Sequence, residues 1–195
     1  MKLFLRISLL LTLCISVNSF IVLNQNAELK KDEAQKAFEY LNEMRANPAA
    51  YSDEVGIKLS AYEKRPALVW NPILAEVAEK KAADMANRNY FSHQTPEGEG
   101  INVMIHDAGY ELKEKWYSDK SKNYFESIQA GISNGVEVIR NLVLDAHDKK
   151  GGHRNHLLGD GDWNKGLVDI GIGMAYSSES KYGTYASIII AKHDY

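Results

Sequence analysis

The sequence predicts an α+β fold in which helices pack on a small antiparallel sheet. Three observations carry this: apolar residues at helical spacing through most of the chain, one strictly alternating segment at 168–176, and an apolar run at 184–191 after a short turn.

The first helix follows a polar lead-in at 24–31. Ala34, Ala37, Phe38, Leu41 and Met44 fall on one helical face, Asp32 is its expected N-cap and Pro48 its stop. A second begins at Asn71-Pro72, a capping residue followed by proline at the first helical position. It turns Leu74, Val77, Ala78, Ala82 and Met85 inward and ends near Asn89.

Ile101, Met104 and Ile105 repeat the spacing in a short third helix, which Gly109 can end in the left-handed conformation. Residues 111–122 are polar and aromatic and read as a loop with room for a short strand. A fourth helix, capped by Ser133 or Asn134, carries Val136, Ile139 and Val143 towards Asp145, and Lys149-Lys150-Gly151-Gly152 is a turn.

Val168, Ile170, Ile172, Met174 and Tyr176 alternate with Asp169, Gly171, Gly173 and Ala175 at a period of two, which is a strand. Residues 177–181 turn the chain, and Thr184 to Ala191 supplies the antiparallel partner. No internal repeat and no second core interrupt residues 32–195, which form one expected domain after a lead-in at 20–31.

The N-terminus has the plan of a signal peptide over residues 1–19: Lys2 and Arg6, an apolar run from Ile7 to Val17, and small residues at Val17-Asn18-Ser19. The run is shorter than the ~20 residues of a membrane-spanning helix, and no later segment is as apolar, so an integral membrane protein is not expected. The rival is a lipid anchor on Cys14, where Leu11-Thr12-Leu13-Cys14 loosely matches a lipoprotein box with a bulky Leu13. Cys14 is the only cysteine, so cleavage after Ser19 leaves no thiol for a disulfide or a metal.

A charged fraction of 25% and a hydrophobic fraction of 45% are ordinary for a globular domain. The formal charge of −3 becomes −5 once Lys2 and Arg6 leave, and no Lys/Arg stripe offsets it, which excludes an electrostatic footprint for nucleic acid.

Two histidines sit beside helix ends, where scaffolds commonly place working side chains: His93 in Phe91-Ser92-His93-Gln94 and His153 in Gly151-Gly152-His153-Arg154. Glu126 stands among apolar neighbours in Tyr124-Phe125-Glu126-Ser127-Ile128, and Asp145 ends the stripe Leu142-Val143-Leu144. Carboxylates in such settings need a cation or a donor to meet them.

The ordered series of Arg45-Ala46-Asn47-Pro48, Leu68-Val69-Trp70-Asn71, Phe91-Ser92-His93, Ala108-Gly109-Tyr110, Glu126, Gly152-His153-Arg154-Asn155 and Ile170-Gly171-Ile172-Gly173 resembles the CAP superfamily in its bacterial branch. This is the family of cysteine-rich secretory proteins, antigen 5 and plant pathogenesis-related 1 proteins. The likeness covers most of the mature chain and implies an SCP-type α-β-α sandwich, secreted or periplasmic. It implies also a central cleft with a tetrad of two histidines and two acids, which by matching motifs are His93, Glu126, Asp145 and His153. Phe125-Glu126-Ser127 replaces the family's usual Gly-Glu-Asn, and Asp145 replaces a glutamate, with Glu137 as competing candidate two helical turns earlier.

Imidazole and carboxylate donors suit zinc or a similar divalent ion, and some family members bind zinc there. Four protein ligands would close the coordination of zinc, whereas an Asp145 acting through water would leave a position open. The resemblance implies a binding module before an enzyme, for a cation and for a lipid or protein partner. Trp116, Tyr117 and Trp163 are candidates for lining a lipid groove, against ordinary core packing.

The alternatives are a metal-dependent or acid–base hydrolase with Glu126 as general base, and a structural interaction domain in which the tetrad braces loops. Ser92, Ser127 and Ser133 are conceivable nucleophiles, but none lies in a nucleophile elbow. Asp160-Gly161-Asp162-Trp163-Asn164-Lys165-Gly166 carries oxygen ligands at alternate positions, yet its glycine is one place late for a calcium loop and Gly171 stands where the bidentate glutamate belongs. It reads as a surface loop.

Overall fold

The computed structural model describes residues 27–192; the expected leader, its cleavage point and Cys14 lie outside them. Strand β1 (Glu28–Leu29) leads into α1 (Lys31–Ala46), a 3-10 turn at Pro48–Tyr51 and the one-turn α2 (Ser52–Val55). Next come β2 (Val69–Trp70), α3 (Pro72–Arg88), α4 (Ile101–Asp107), α5 (Glu114–Tyr117) and β3 (Glu126–Ala130). The chain then forms α6 (Gly135–Leu144), α7 (Gly152–Leu158), α8 (Gly161–Asn164), β4 (Asp169–Tyr176) and β5 (Thr184–Ala191).

Helix α3 starts as its sequence dictates: the Asn71 side chain accepts from the Ile73 and Leu74 amides, Pro72 takes the first position, and Asn89 ends the helix at φ 54°. At α1 the boundary differs from expectation. Lys30 is the N-cap, fixed by its amide bond to the Met174 carbonyl, and Asp32 lies inside the first turn, where its charge still favours the helix N-terminus. Asn134, not Ser133, caps α6 through the Glu137 amide. The buried face of α6 is Val138, Ile139, Leu142 and Val143, with Val136 only half-buried.

The sheet runs β1-β4-β5-β3 with antiparallel neighbours, and the two-residue β2 adds to β4 in parallel. Helix α3 covers one face of β4 and β5, while α1 packs on β4 and on α6 at the other. The result is the α-β-α sandwich. The alternation in β4 does not mark a solvent face: seven of its eight residues are buried. Gly171 and Gly173 face α3 so closely that a Cβ at either would lie 2.1 Å from the main chain of Leu74 or Ala78.

Several elements depart from the sequence expectation. Strand β3 was hidden because both of its faces are buried, so Glu126 and Ser127 break the apolar alternation while finding internal partners. Residues 111–122 contain the helical turn α5 where a strand was allowed for. Gly151, at φ 67°, starts α7, which places His153 in a helical first turn instead of a loop. Residues 161–164 wind into α8, and the Asn164 amide caps back onto the Asp160 carbonyl at 2.7 Å, so the calcium-like spacing is spent on a helical turn.

Candidate functional site

Edge strand β3 lies where the ends of two helical layers meet. On one side, α3 terminates at Asn89 and the chain swings through Tyr90 and Phe91 to His93. Tyr90 is pinned by its hydroxyl, which donates to Asp84 at 2.5 Å and accepts from Lys81 at 3.2 Å. His93 Nδ1 then meets Glu126 Oε2 at 2.8 Å.

The Glu126 side chain is fully buried. Its other oxygen accepts from the Ser187 hydroxyl at 2.7 Å. Both of its carboxylate oxygens are thus occupied, and Glu126 orients His93 in place of standing free as a base towards the cleft.

On the other side, α6 ends at Asp145, which takes the left-handed conformation at φ 47°. Asp145 Oδ1 meets His153 Nδ1 at 2.9 Å, and Oδ2 accepts the His153 backbone amide at 2.9 Å. Asp148 secures the intervening turn by accepting from Gly152 and Lys150, and those backbone bonds hold its carboxyl below the usual range. Glu137 is on the exposed face of α6, bonded to Arg140 at 2.6 Å. The carboxylate that meets His153 is thus Asp145 and not Glu137.

The two pairs are alike in chemistry. A carboxylate only accepts, so each Nδ1 carries a proton towards its acid, and in the neutral tautomer that this selects Nε2 is the lone-pair nitrogen. Both rings are about one-third exposed and line one cleft of about 350 Å³, together with Asn123, Tyr124, Asp148, His156 and Trp163. Among the described residues no three His, Cys, Asp or Glu side chains converge as a direct cage; the arrangement is two oriented imidazoles, each with its acid behind it.

Four contributors were not singled out from sequence. Asn123 bonds the Glu126 backbone twice, accepting from its amide at 2.9 Å and donating to its carbonyl at 2.8 Å. Ser187 holds Glu126. His156 is buried beneath the cleft with Nδ1 2.8 Å from the Ser127 hydroxyl, and burial, aided by the Arg45 charge and opposed by a backbone bond at Ile190, pushes it down to about 4, so it is neutral. Lys81 is wholly buried on α3; burial pushes its pKa down while Glu126 and Asp84 oppose the shift. Its position was visible in the sequence as a lysine set within the inward stripe Ala78, Ala82, Met85.

The conceivable nucleophiles have structural tasks. Ser92 accepts the Gln94 amide in a turn, Ser127 is buried against His156, and Ser133 is exposed ahead of the α6 cap. Of the aromatic candidates, Trp163 lines the cleft and packs on Trp116 at 4.6 Å, and both contact Phe125. Tyr117 turns away to stack on His106 at 3.7 Å.

A family model described as the cysteine-rich secretory protein family, CAP, matches residues 38–190. Among solved structures, an extracellular protein containing an SCP domain from Bacillus anthracis aligns with a TM-score of 0.55 and 22% identity, over 83% of this chain and 41% of that one. The chain thus spans less than half of the Bacillus protein. An outer surface protein from Borrelia burgdorferi aligns with a TM-score of 0.54 and 16% identity, over 84% of this chain and 95% of that one. No curated protein matches in sequence. No helix among the described residues is long and apolar enough to cross a membrane.

Proposed function

The chain belongs to the CAP family of cysteine-rich secretory proteins, and from that premise we propose that it is an exported binding module whose His93/His153 cleft takes a divalent cation, zinc in particular. The observation that carries this reading is the carboxylate behind each imidazole. Such a pair fixes the ring, sets the tautomer that exposes Nε2, and raises the basicity of that nitrogen, which is the usual support of a histidine ligand. Two nitrogen donors with room left for water or a ligand atom suit zinc.

A bound ion would supply a positive anchor for an anionic or carbonyl group. The chain's own residues do the rest: Glu126 and Asp145 hold the rings, while Trp163 and Tyr124 offer an apolar wall to a lipid or protein partner. Export is supported by the apolar run from Ile7 to Val17 and by the extracellular and outer-surface descriptions of the two structural neighbours. A hydrolase has less support, because Glu126 is buried with both oxygens engaged.

The test is zinc titration by calorimetry on the wild type and on the His93→Ala, His153→Ala double variant. Loss of at least a hundredfold in affinity is expected in the variant. Equal binding by both proteins, or none by the wild type, overturns the cation site.

A further inference from the structure

Among the described residues, strand β3 is the outer strand of the sheet, with β5 on one side and no strand on the other. Its bonds to β5 include the Ile190 amide donating to Phe125 O and the Gly131 amide donating to Thr184 O. The odd-numbered residues from 125 to 131 therefore turn their backbone groups towards β5, and Glu126, Ile128 and Ala130 turn theirs outward.

At Glu126 the outward amide and carbonyl are both taken by the Asn123 side chain, which makes the two bonds a neighbouring strand would make. At Ala130 the carbonyl accepts from the Gln129 side chain at 3.1 Å. Ile128, between them, has neither its outward amide nor its outward carbonyl bonded among the described residues. Open space lies against it: one hollow of about 500 Å³ reaches His93, Ser92 and Asn123, and another of about 310 Å³ reaches Leu142, Ala146 and Tyr182. His153 and Phe91 border both hollows, and Phe91 and Tyr182, exposed at 43% and 41%, form an edge-to-face pair on the rim.

We propose that this open position binds an extended peptide as an added antiparallel strand, one residue of which exchanges both backbone hydrogen bonds with Ile128. A row of unpaired strand groups is a template for another strand. The chemistry selects a peptide over a lipid: the groups left without a partner among the described residues are the Ile128 amide and carbonyl and the Ala130 amide, at strand spacing, and an acyl chain satisfies none of them. Side chains flanking the paired residue enter the apolar hollow beside Leu142 and Ala146, and the peptide main chain passes next to His93 and His153. The site is continuous with the cation cleft and does not depend on its occupancy.

The experiment uses the intact protein and a fluorescent heptapeptide library, threonine at alternate positions and the others randomised, read by anisotropy in zinc buffer and in chelator. The tightest peptide is remade with a single N-methyl group at each backbone nitrogen in turn, and the Ile128 amide is followed by NMR. One N-methyl position should weaken binding at least tenfold, and the Ile128 resonance should move in step with saturation. No binding in either buffer, equal affinity of all methylated peptides, a stationary Ile128 resonance, or an edge occupied by a second copy in sedimentation overturns the proposal. Peptide binding in chelator leaves the cation reading to the calorimetry alone, so the two fail separately.

Discussion

Asp145 does two things at once: it holds a left-handed backbone at the end of α6 and presents both oxygens to His153. Asparagine shares the tolerance for that backbone, so Asp145→Asn separates the two. It keeps one acceptor but loses the charge and turns an amide NH2 towards a His153 N–H, so zinc affinity should fall about tenfold, the low end for an outer-shell change, with unfolding free energy lowered by about 1–3 kcal/mol for the acceptor lost. Calorimetry and urea titration check the pair. His156 gives a second prediction. Its folded pKa of about 4 lies below the ordinary 6.5, so the unfolded chain binds the proton first. That contribution to stability is whole above pH 6.5 and is lost as pH falls towards 4, by about 3 kcal/mol. In His156→Gln the loss of stability between pH 7 and pH 4 should shrink by about that amount, and an unchanged pH slope refutes it. His93, Glu126, Asp145 and His153 could be picked out because each lies in a sequence motif, and the structure joins them as two pairs. Asn123, Ser187 and His156 could not be, since what they meet is set by strand register and helix packing; for Lys81 the inward position could be read from the stripe of α3, but not its partners.

The elements that could be read in advance are those whose signals are local. Asn71-Pro72 caps α3 whatever surrounds it, and the isoleucine run makes β5 a strand. Elements fixed by tertiary contact escaped: β1 and β2 are two residues each, β3 is masked by polar residues with buried partners, and α7 grows from a Gly-Gly turn. The glycines of β4 were read for their alternation, but their meaning is the approach of α3. Gly173→Ala would set a Cβ 2.1 Å from Ala78 main chain, which cannot swing aside as a side chain can. Destabilisation of about 3 kcal/mol, the upper end for overpacking, is expected from the urea midpoint. A loss below about 1 kcal/mol would mean that α3 slides on the sheet.

At the scale of the molecule, the two histidine pairs belong to different layers. His93 hangs from α3 and is braced by Glu126 and Ser187 of the sheet, whereas His153 rides on α7 and is braced by the end of α6. A cation shared by both rings would therefore tie the two helical layers together across the β3 edge. Binding to the folded state alone stabilises it by about 2.7 kcal/mol at a hundredfold excess over Kd. For a domain of this length each kcal/mol raises Tm by roughly 2–4 °C, so zinc at that excess should raise Tm by about 5–10 °C. Because the tie is mutual, hydrogen-exchange protection should rise at 91–95 and at 145–156 together, and His153→Ala should abolish the gain in both segments. Protection confined to the segment around one histidine would show that the rings act separately and that the cleft holds no shared ion.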